Sequence, residues 1–351
     1  MQEGGVDGSQ PVEVLLRHQR LAYLDAPYND SVSNTVEKLL LAAPRGYCAG
    51  VDRAVQTVER ALMIHGAPVY VRKEIVHNKH VVEELRERGA IFVDEHTEVP
   101  EGAVCAFSAH GVAPSVREGA EKRRLQTIDA TCPLVTKVHR EAVRFAQDGY
   151  TIVLVGHDGH EEVEGTMGEA PQRIVLVQNE EDVEALEVDD PERIAYVTQT
   201  TLAVDETSAI LARLRERFPS IVGPRTDDIC YATTNRQAAV KQMAGSCDLM
   251  LVIGSSNSSN SKRLVEVARD CGTDAHLIDN ASEVQEDWLR GRRVVGISSG
   301  ASAPENLVAE LVDFFRARGV SDISEFDVIR EDVRFMLPKQ IREAAVAGGP
   351  I

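Results

Sequence analysis

Three times along this chain an apolar run leads into a cysteine and on into a helix-forming stretch: LLLAAPRGYCAGVDRAVQTV, LQTIDATCPLVTKVHREAV and RTDDICYATTNRQAAVKQM, which hold Cys48, Cys132 and Cys230. Internal repetition on this scale limits the fold more than any local pattern, because each repeat must be one structural unit stacked on the others. The intervals between the cysteines are each long enough for a small α/β unit, and the rhythm continues inside them. His77, His160 and Ser258 follow the three cysteines at nearly equal offsets, each in a polar loop between an apolar run and a helix. A second set, His110, Thr200 and Ser302, follows at similar offsets where a later apolar run meets a helix. Three α/β lobes of like plan are implied.

From Leu39 onward, short aliphatic runs alternate with amphipathic stretches, the signature of βα units on mostly parallel sheets. VEKLLLAA, APVYVRK, GAVCAFSA, TIVLVGH, RIAYVTQT, DLMLVIGS and RRVVGISS read as strands. DRAVQTVERALMIHG, HVVEELRERG, SKRLVEVARDCG and PENLVAELVDFFRARG read as helices, ending at glycines suited to a left-handed C′ position. The expected organisation is a mobile extension over 1–36, then a first strand and cysteine loop over 37–49 that pack with the third lobe. Lobes follow over 50–132, 133–226 and 227–318, and a tail over 319–351.

Parallel sheets bind ligands beyond the carboxyl ends of their strands, where helix N-termini aim unpaired N–H groups. Three lobes around one axis can turn those ends toward a common centre holding three cysteines ringed by His, Thr, Ser and Asn. Lys and Arg number 38 against 56 Asp and Glu, a formal charge of −18, which disfavours nucleic acid as a partner. An anionic ligand must therefore be held by a local device. No run approaches the about 20 apolar residues of a membrane span, and the first residues lack the basic and apolar regions of a signal peptide, so a cytoplasmic protein with no membrane partner is expected. Six cysteines are too few for a disulfide scaffold here, and packing is the expected role of Cys105, Cys247 and Cys271.

Three thiolates brought together from distant loops suit a soft metal centre, either tetrahedral zinc or an iron–sulfur cluster. Structural zinc usually draws on C-x-x-C pairs, and none exists here. A [4Fe–4S] cluster on three cysteines needs no such pairs and keeps one iron open. His77, His110 and His160, matched in the third unit by SSNSSNS, read as hydrogen-bond donors around an anion. Glu162 follows His160 in a Gly-bounded loop, where an enclosed carboxyl can act as a proton donor. Glu161 and Glu164 beside it are expected to be solvated.

On PRGYCAGVDRA, the VHN of EIVHNKHVVEELRERGAIFVDE, FSAHGV, DATCPLVTKVH, GHEEVEGT, TQTTL, DDICYATTNRQ, SSNSSNS and GASAP, the chain resembles the 4-hydroxy-3-methylbut-2-enyl diphosphate reductases. These are the last enzymes of the methylerythritol phosphate route to isoprenoids, and the resemblance runs in order from about Leu39 to Pro338. It implies a trefoil of three pseudo-threefold-related α/β lobes around a [4Fe–4S] cluster, with Cys48, Cys132 and Cys230 on three irons and the substrate hydroxyl on the fourth. It also implies that His77, His110 and His160, with Ser258, Asn260 and Ser302, hold the diphosphate, with Ser259 in the same loop. Thr200 and Glu162 would contact the hydroxyl and relay protons. The implied reaction is reductive dehydroxylation of (E)-4-hydroxy-3-methylbut-2-enyl diphosphate to isopentenyl and dimethylallyl diphosphate, with a ferredoxin or flavodoxin as electron donor and closure of the lobes over the ligand. Two departures stand out: Glu161 replaces a familiar Pro and Ser256 a familiar Lys, neither at an expected catalytic position. A quinolinate-synthase-like dehydratase and a non-catalytic iron–sulfur or zinc regulator are the rival readings, and the donor ring argues against both. Lys122, Arg123 and Arg124 form a basic run that could dock an acidic donor, although such runs are commonly solvated faces.

Overall fold

The computed structural model describes residues 36–347, so the extension expected over 1–36 lies, except for its last residue, outside the described residues. The strands are β1 (Lys38–Ala43), β2 (Val69–Arg72), β3 (Ala90–Val93), β4 (Val104–Phe107), β5 (Gln126–Asp129), β6 (Thr151–Val155), β7 (Ile174–Val177), β8 (Ile194–Thr198), β9 (Leu249–Ile253), β10 (Asp274–Ile278), β11 (Val294–Ser299) and β12 (Asp322–Asp327). They form three sheets, ordered β3-β2-β4-β5, β7-β6-β8 and β10-β9-β11-β1-β12. Every pairing within them is parallel. The strands with both faces covered carry continuous apolar runs, as in LMLVI of β9, where all the residues are buried.

The sheets share one plan. In each, the strand after a cysteine-led helix lies inside (β2, β6, β9), the next forms an outer edge (β3, β7, β10), and the third (β4, β8, β11) lies on the opposite side. A fourth position beside that third strand leads to a cysteine. It is filled by β5 before Cys132, by a lone parallel bridge between Ala195 and Val222 before Cys230, and by β1 before Cys48. The third lobe thus takes its cysteine strand from the start of the described chain. Leu39 and Leu41 of β1 pack with Leu249, Leu251, Ile297, Leu311 and Phe315 in the core of that lobe.

The helices after β2 and β11 end where the sequence indicates, with Gly89 at φ +102° and Gly319 at φ +92° taking the left-handed turn. The segment from 319 onward does more than trail from the third lobe. Its strand β12 pairs with β1 along Lys38–Ala43, and Ile341 of the helix Lys339–Ala347 is buried beside Ala61, Val69 and Ile128 of the first lobe. The DISEFD of β12 is an edge strand with no fully buried residue, so it lacks the apolar run that marks the other strands. Among the described residues, no helix is long and apolar enough to cross a membrane.

Removing the Leu39 side chain leaves a cavity in the third lobe and should cost about 2–5 kcal/mol in a Leu39→Ala variant, read as a lowered denaturation midpoint. Amide exchange should quicken in β9 and β11 and stay unchanged in β2 and β4. Quickening in β2 and β4 alone would show that residues 37–49 belong to the first lobe.

Candidate active site

Each of the three repeated cysteines is the N-cap of a helix: Cys48 of Ala49–His65, Cys132 of Pro133–Gln147 and Cys230 of Tyr231–Ala244. Each is pinned by its own amide to the loop after the neighbouring strand. Cys48 N–H donates to Ala301 O (3.1 Å), Cys132 N–H to Ala109 O (2.9 Å) and Cys230 N–H to Thr200 O (3.1 Å). Those acceptors are Thr200 itself and the residues preceding His110 and Ser302, so the cysteines and the second polar set are placed by the same three bonds.

A second threefold set ties the helices together. One turn into the first helix, Arg53 donates to Ala130 O (2.9 Å) and Thr131 O (3.0 Å), in the loop that delivers Cys132. Lys137 of the second helix donates to the carbonyls of Thr226 and Asp227 and to Asp228 Oδ1 (3.0 Å), in the loop before Cys230. Arg236 of the third, fully buried, donates to Gly46 O (2.8 Å) before Cys48 and pairs with Glu331 (3.1 Å).

The three sulfurs border one cleft of about 670 Å³, counted out to its mouth. A methyl group at Gly50 would come within 2.7 Å of Cys132 Sγ and 3.7 Å of Cys48 Sγ, so only glycine lets the first helix start between these two sulfurs. Val51 N–H donates to Cys48 Sγ and Thr233 N–H to Cys230 Sγ, each at 3.4 Å, while Thr233 Oγ1 lies 3.2 Å from Cys230 Sγ. As free thiols, Cys132 and Cys230 hold their protons. Burial, then the neighbouring Cys48, pushes Cys132 up to about 12 and Cys230 up to about 11. Lining one cleft with Cys48, and with helix N-termini and N–H donors behind them, these two thiols lose those protons readily only to a positively charged centre. The donor set therefore fits a thiolate-bound metal group.

Polar residues line the cleft as well. His77 and His110 stack with ring centroids 4.0 Å apart and planes 17° from parallel, and His160 meets both edge-on at 5.4 and 5.7 Å. Ligand atoms of His77, His110 and Glu161 lie within 4.8 Å of one another. Near-parallel rings point their nitrogens side by side rather than at one point, however, which suits two oxygens of an anion better than a single cation. Ser258 caps the helix Ser259–Asp270, accepting from Ser261 N–H (3.3 Å), and this helix N-terminus borders the cleft. Asn260 is 5% exposed, yet neither its amide nitrogen nor its oxygen has a partner. A buried amide left open in this way is a group placed for a ligand. Ser302 Oγ donates to His77 O (2.8 Å) and Ser259 Oγ to Thr201 O (3.2 Å).

Glu162, 2% exposed, lines the cleft with both the sulfurs and the imidazoles. Thr200 N–H donates to its Oε1 (2.6 Å) and Thr200 Oγ1 to its Oε2 (2.9 Å). Burial outweighs these donors and raises its pKa, making Glu162 a proton source. His160 Nδ1 accepts from Glu162 N–H (3.1 Å), which fixes the proton of the neutral ring on Nε2. Burial, then His110 and His77, pushes the pKa of His160 down to about 3.

Every site residue read from the sequence borders this cleft. Other expectations change. Glu161 is not solvated: its side chain is 16% exposed and its Oε2 accepts from His110 Nδ1 and Ser108 Oγ, each at 3.2 Å. Glu164 is exposed as expected, whereas Cys271, read as a packing residue, is also exposed, at the end of its helix. Of the basic run, Arg123 turns back to Val99 O (2.6 Å), while Lys122 and Arg124 are exposed and Arg124 lies 3.6 Å from Glu101. Glu74, which accepts from Asn257 (2.7 Å) and faces His77 Nδ1 (3.4 Å), was not foreseen, and no motif marks it. Thr233 could have been found from its place three residues after a capping cysteine.

A family profile described as "LytB protein" matches residues 39–316. The chain is 60% identical over 311 residues to a Nocardia farcinica protein named 4-hydroxy-3-methylbut-2-enyl diphosphate reductase, covering 88% of this chain and 93% of that protein. It is 58% identical over 313 residues to an Acidothermus cellulolyticus protein of the same name, covering 89% and 92%. Among solved structures, the E-1-hydroxy-2-methyl-but-2-enyl-4-diphosphate reductase from Plasmodium falciparum superposes with a TM-score of 0.86 at 38% identity, over 90% of this chain and 100% of that one.

The His160 environment makes a direct prediction. In histidine-labelled protein, the His160 ring should stay neutral, with its proton on Nε2, from about pH 5 to about pH 8 by nuclear magnetic resonance. A midpoint near the ordinary 6.5 would overturn the described packing of the three rings.

Proposed function

The chain belongs to the LytB family, and on that premise we propose that it reduces (E)-4-hydroxy-3-methylbut-2-enyl diphosphate to isopentenyl and dimethylallyl diphosphate. One observation carries the reading: a single cleft is lined both by three half-buried cysteines with a buried acid and by a set of anion donors. A substrate with a hydroxyl at one end and a diphosphate at the other matches that pairing.

Cys48, Cys132 and Cys230 would hold a [4Fe–4S] cluster, which supplies electrons and an iron free of protein ligands for the hydroxyl. The diphosphate is received by His77, His110 and His160, by the open amide of Asn260, and by Ser258 and Ser302. The substrate must bring one end to the sulfurs and the other to the anion donors. Val76, Ala109, Leu134 and Val135 supply apolar surface that displaces water around the carbon chain.

Removing the hydroxyl as water takes two electrons and two protons, one to the departing oxygen and one to carbon. Glu162 holds the first; with that proton on Oε2 the 2.9 Å bond to Thr200 Oγ1 reverses, so the threonine accepts it and passes its own hydrogen to the substrate oxygen. The carbon proton is assigned to the bound diphosphate. The electron donor is inferred to be a ferredoxin or flavodoxin, and a cytoplasmic setting suits such a partner.

The test is anaerobic turnover of the allylic diphosphate with a chemical reductant. Brown protein holding iron and sulfide, with both products formed, is the expected result; colourless zinc protein without turnover would refute it. Glu162→Gln should keep iron and substrate affinity while losing a factor of about 10² to 10⁴ in turnover. Cys48→Ser, Cys132→Ser or Cys230→Ser should lose most of the iron. Cys105→Ala, with its sulfur buried among Val99, Phe107 and Val112, should lose none.

A further inference from the structure

A carboxylate close to an anion-binding cleft opposes the anion unless something offsets its charge. Glu161, in contact with the cleft-lining His110 but not itself lining the cleft, is such a group, and what offsets it is His110. The same oxygen, Oε2, accepts from His110 Nδ1 and from Ser108 Oγ, each at 3.2 Å, and the two side chains are 16% and 14% exposed. Committing Nδ1 to Glu161 leaves Nε2 as the ring nitrogen available to a ligand.

The titratable groups facing His110 are Glu161 and Glu162 of the helix Glu161–Glu169, Glu74 beyond β2, the stacked ring of His77 and the edge-on ring of His160. Burial works against a charged His110, as do the neighbouring imidazoles. Only Glu161 among the facing carboxylates hydrogen-bonds the ring, and it tips the balance. The His110 pKa is raised, while the Glu161 carboxyl falls to about 2: burial pushes it up, but the hydrogen bond and charge of His110 pull it further down. The two shifts describe one ion pair.

Resting on the diphosphate reading above, we propose that Glu161 is a positioning residue: acting through His110, it fixes which ring edge meets the diphosphate and supplies the counter-charge that lets this ring bind as a cation. His110 then differs from its neutral partners. Before substrate arrives the pair carries no net charge, so the cleft holds no uncompensated buried cation; when the anion arrives, a full positive charge already lies at its binding edge.

The isosteric Glu161→Gln keeps an acceptor for Nδ1 and removes only the charge. With anaerobically prepared, iron-loaded protein, the affinity for inorganic diphosphate is measured by calorimetry, and KM and kcat for the allylic diphosphate are measured separately. At about pH 8 the variant should bind inorganic diphosphate and substrate about tenfold more weakly, with kcat within about threefold of the parent. Near pH 6, where protons are a hundredfold more abundant and the incoming diphosphate can itself draw one onto His110, the loss should shrink to about threefold or less. Glu161→Asp, which restores the charge at shorter reach, should recover part of the affinity and the parent's weak pH dependence. Equal weakening of Glu161→Gln at both pH values, or no weakening at all, would overturn the proposal. Absence of turnover in the parent protein would instead sink the functional reading and leave the calorimetric comparison to decide the role of Glu161.

Discussion

The site depends on a ring of three cations, each reaching from one cysteine helix to the loop that delivers the next cysteine. Arg53 grips the carbonyls before Cys132, Lys137 those before Cys230, and Arg236 that of Gly46 before Cys48. Each cation acts within one lobe, tying its first helix to the loop after its fourth sheet position, and because that loop carries the next cysteine the three together set the places of all three sulfurs. Its bonds end on backbone carbonyls that no sheet partner claims, so the ring also satisfies acceptors in the loops where regular pairing stops. Arg236 is wholly buried, and such a cation is tolerated because Glu331, Ala232 O and Gly46 O surround it.

Within that frame the cleft solves an electrostatic problem without a basic surface. The chain carries a formal charge of −18, which repels an anion at long range. Attraction therefore has to be local and short in reach. The elements that provide it are largely neutral: two imidazoles held uncharged, two serine hydroxyls, an open amide and a helix N-terminus. The positive charge of His110 is balanced in place by Glu161. The same burial that keeps His160 neutral raises the pKa of Glu162, so one physical cause prepares both an anion donor and an acid.

The three-lobe plan and the cleft residues were legible because a strand, a polar or sulfur-bearing cap and a helix recur three times in order, and parallel sheets place such junctions at one end. Other features were hidden for identifiable reasons. The fourth position of the smallest sheet is one bridge at Val222, too short to leave an alternating pattern. Strand β12 is a solvent-facing edge, and its polar sequence reads as a tail. Glu161 was misread as solvated because its partners, Ser108 and His110, are distant in sequence and belong to another lobe. The cation ring was visible only as a single Arg or Lys a turn after each cysteine, a spacing that any amphipathic helix offers.

The borrowed strand β1 has a consequence for how the protein is made. Its neighbours in the sheet, β11 and β12, are translated some two hundred and fifty residues later, so the earliest cysteine emerges from the ribosome long before the surface that anchors it. The first and second lobes can fold as they are synthesised, N-terminal part first. The sulfur of Cys48 must wait, in a nascent chain, until almost the last strand is complete. On the proposed cluster reading, loading is thereby deferred to the end of translation, and a truncated product lacking the final sheet would offer no completed pocket for it.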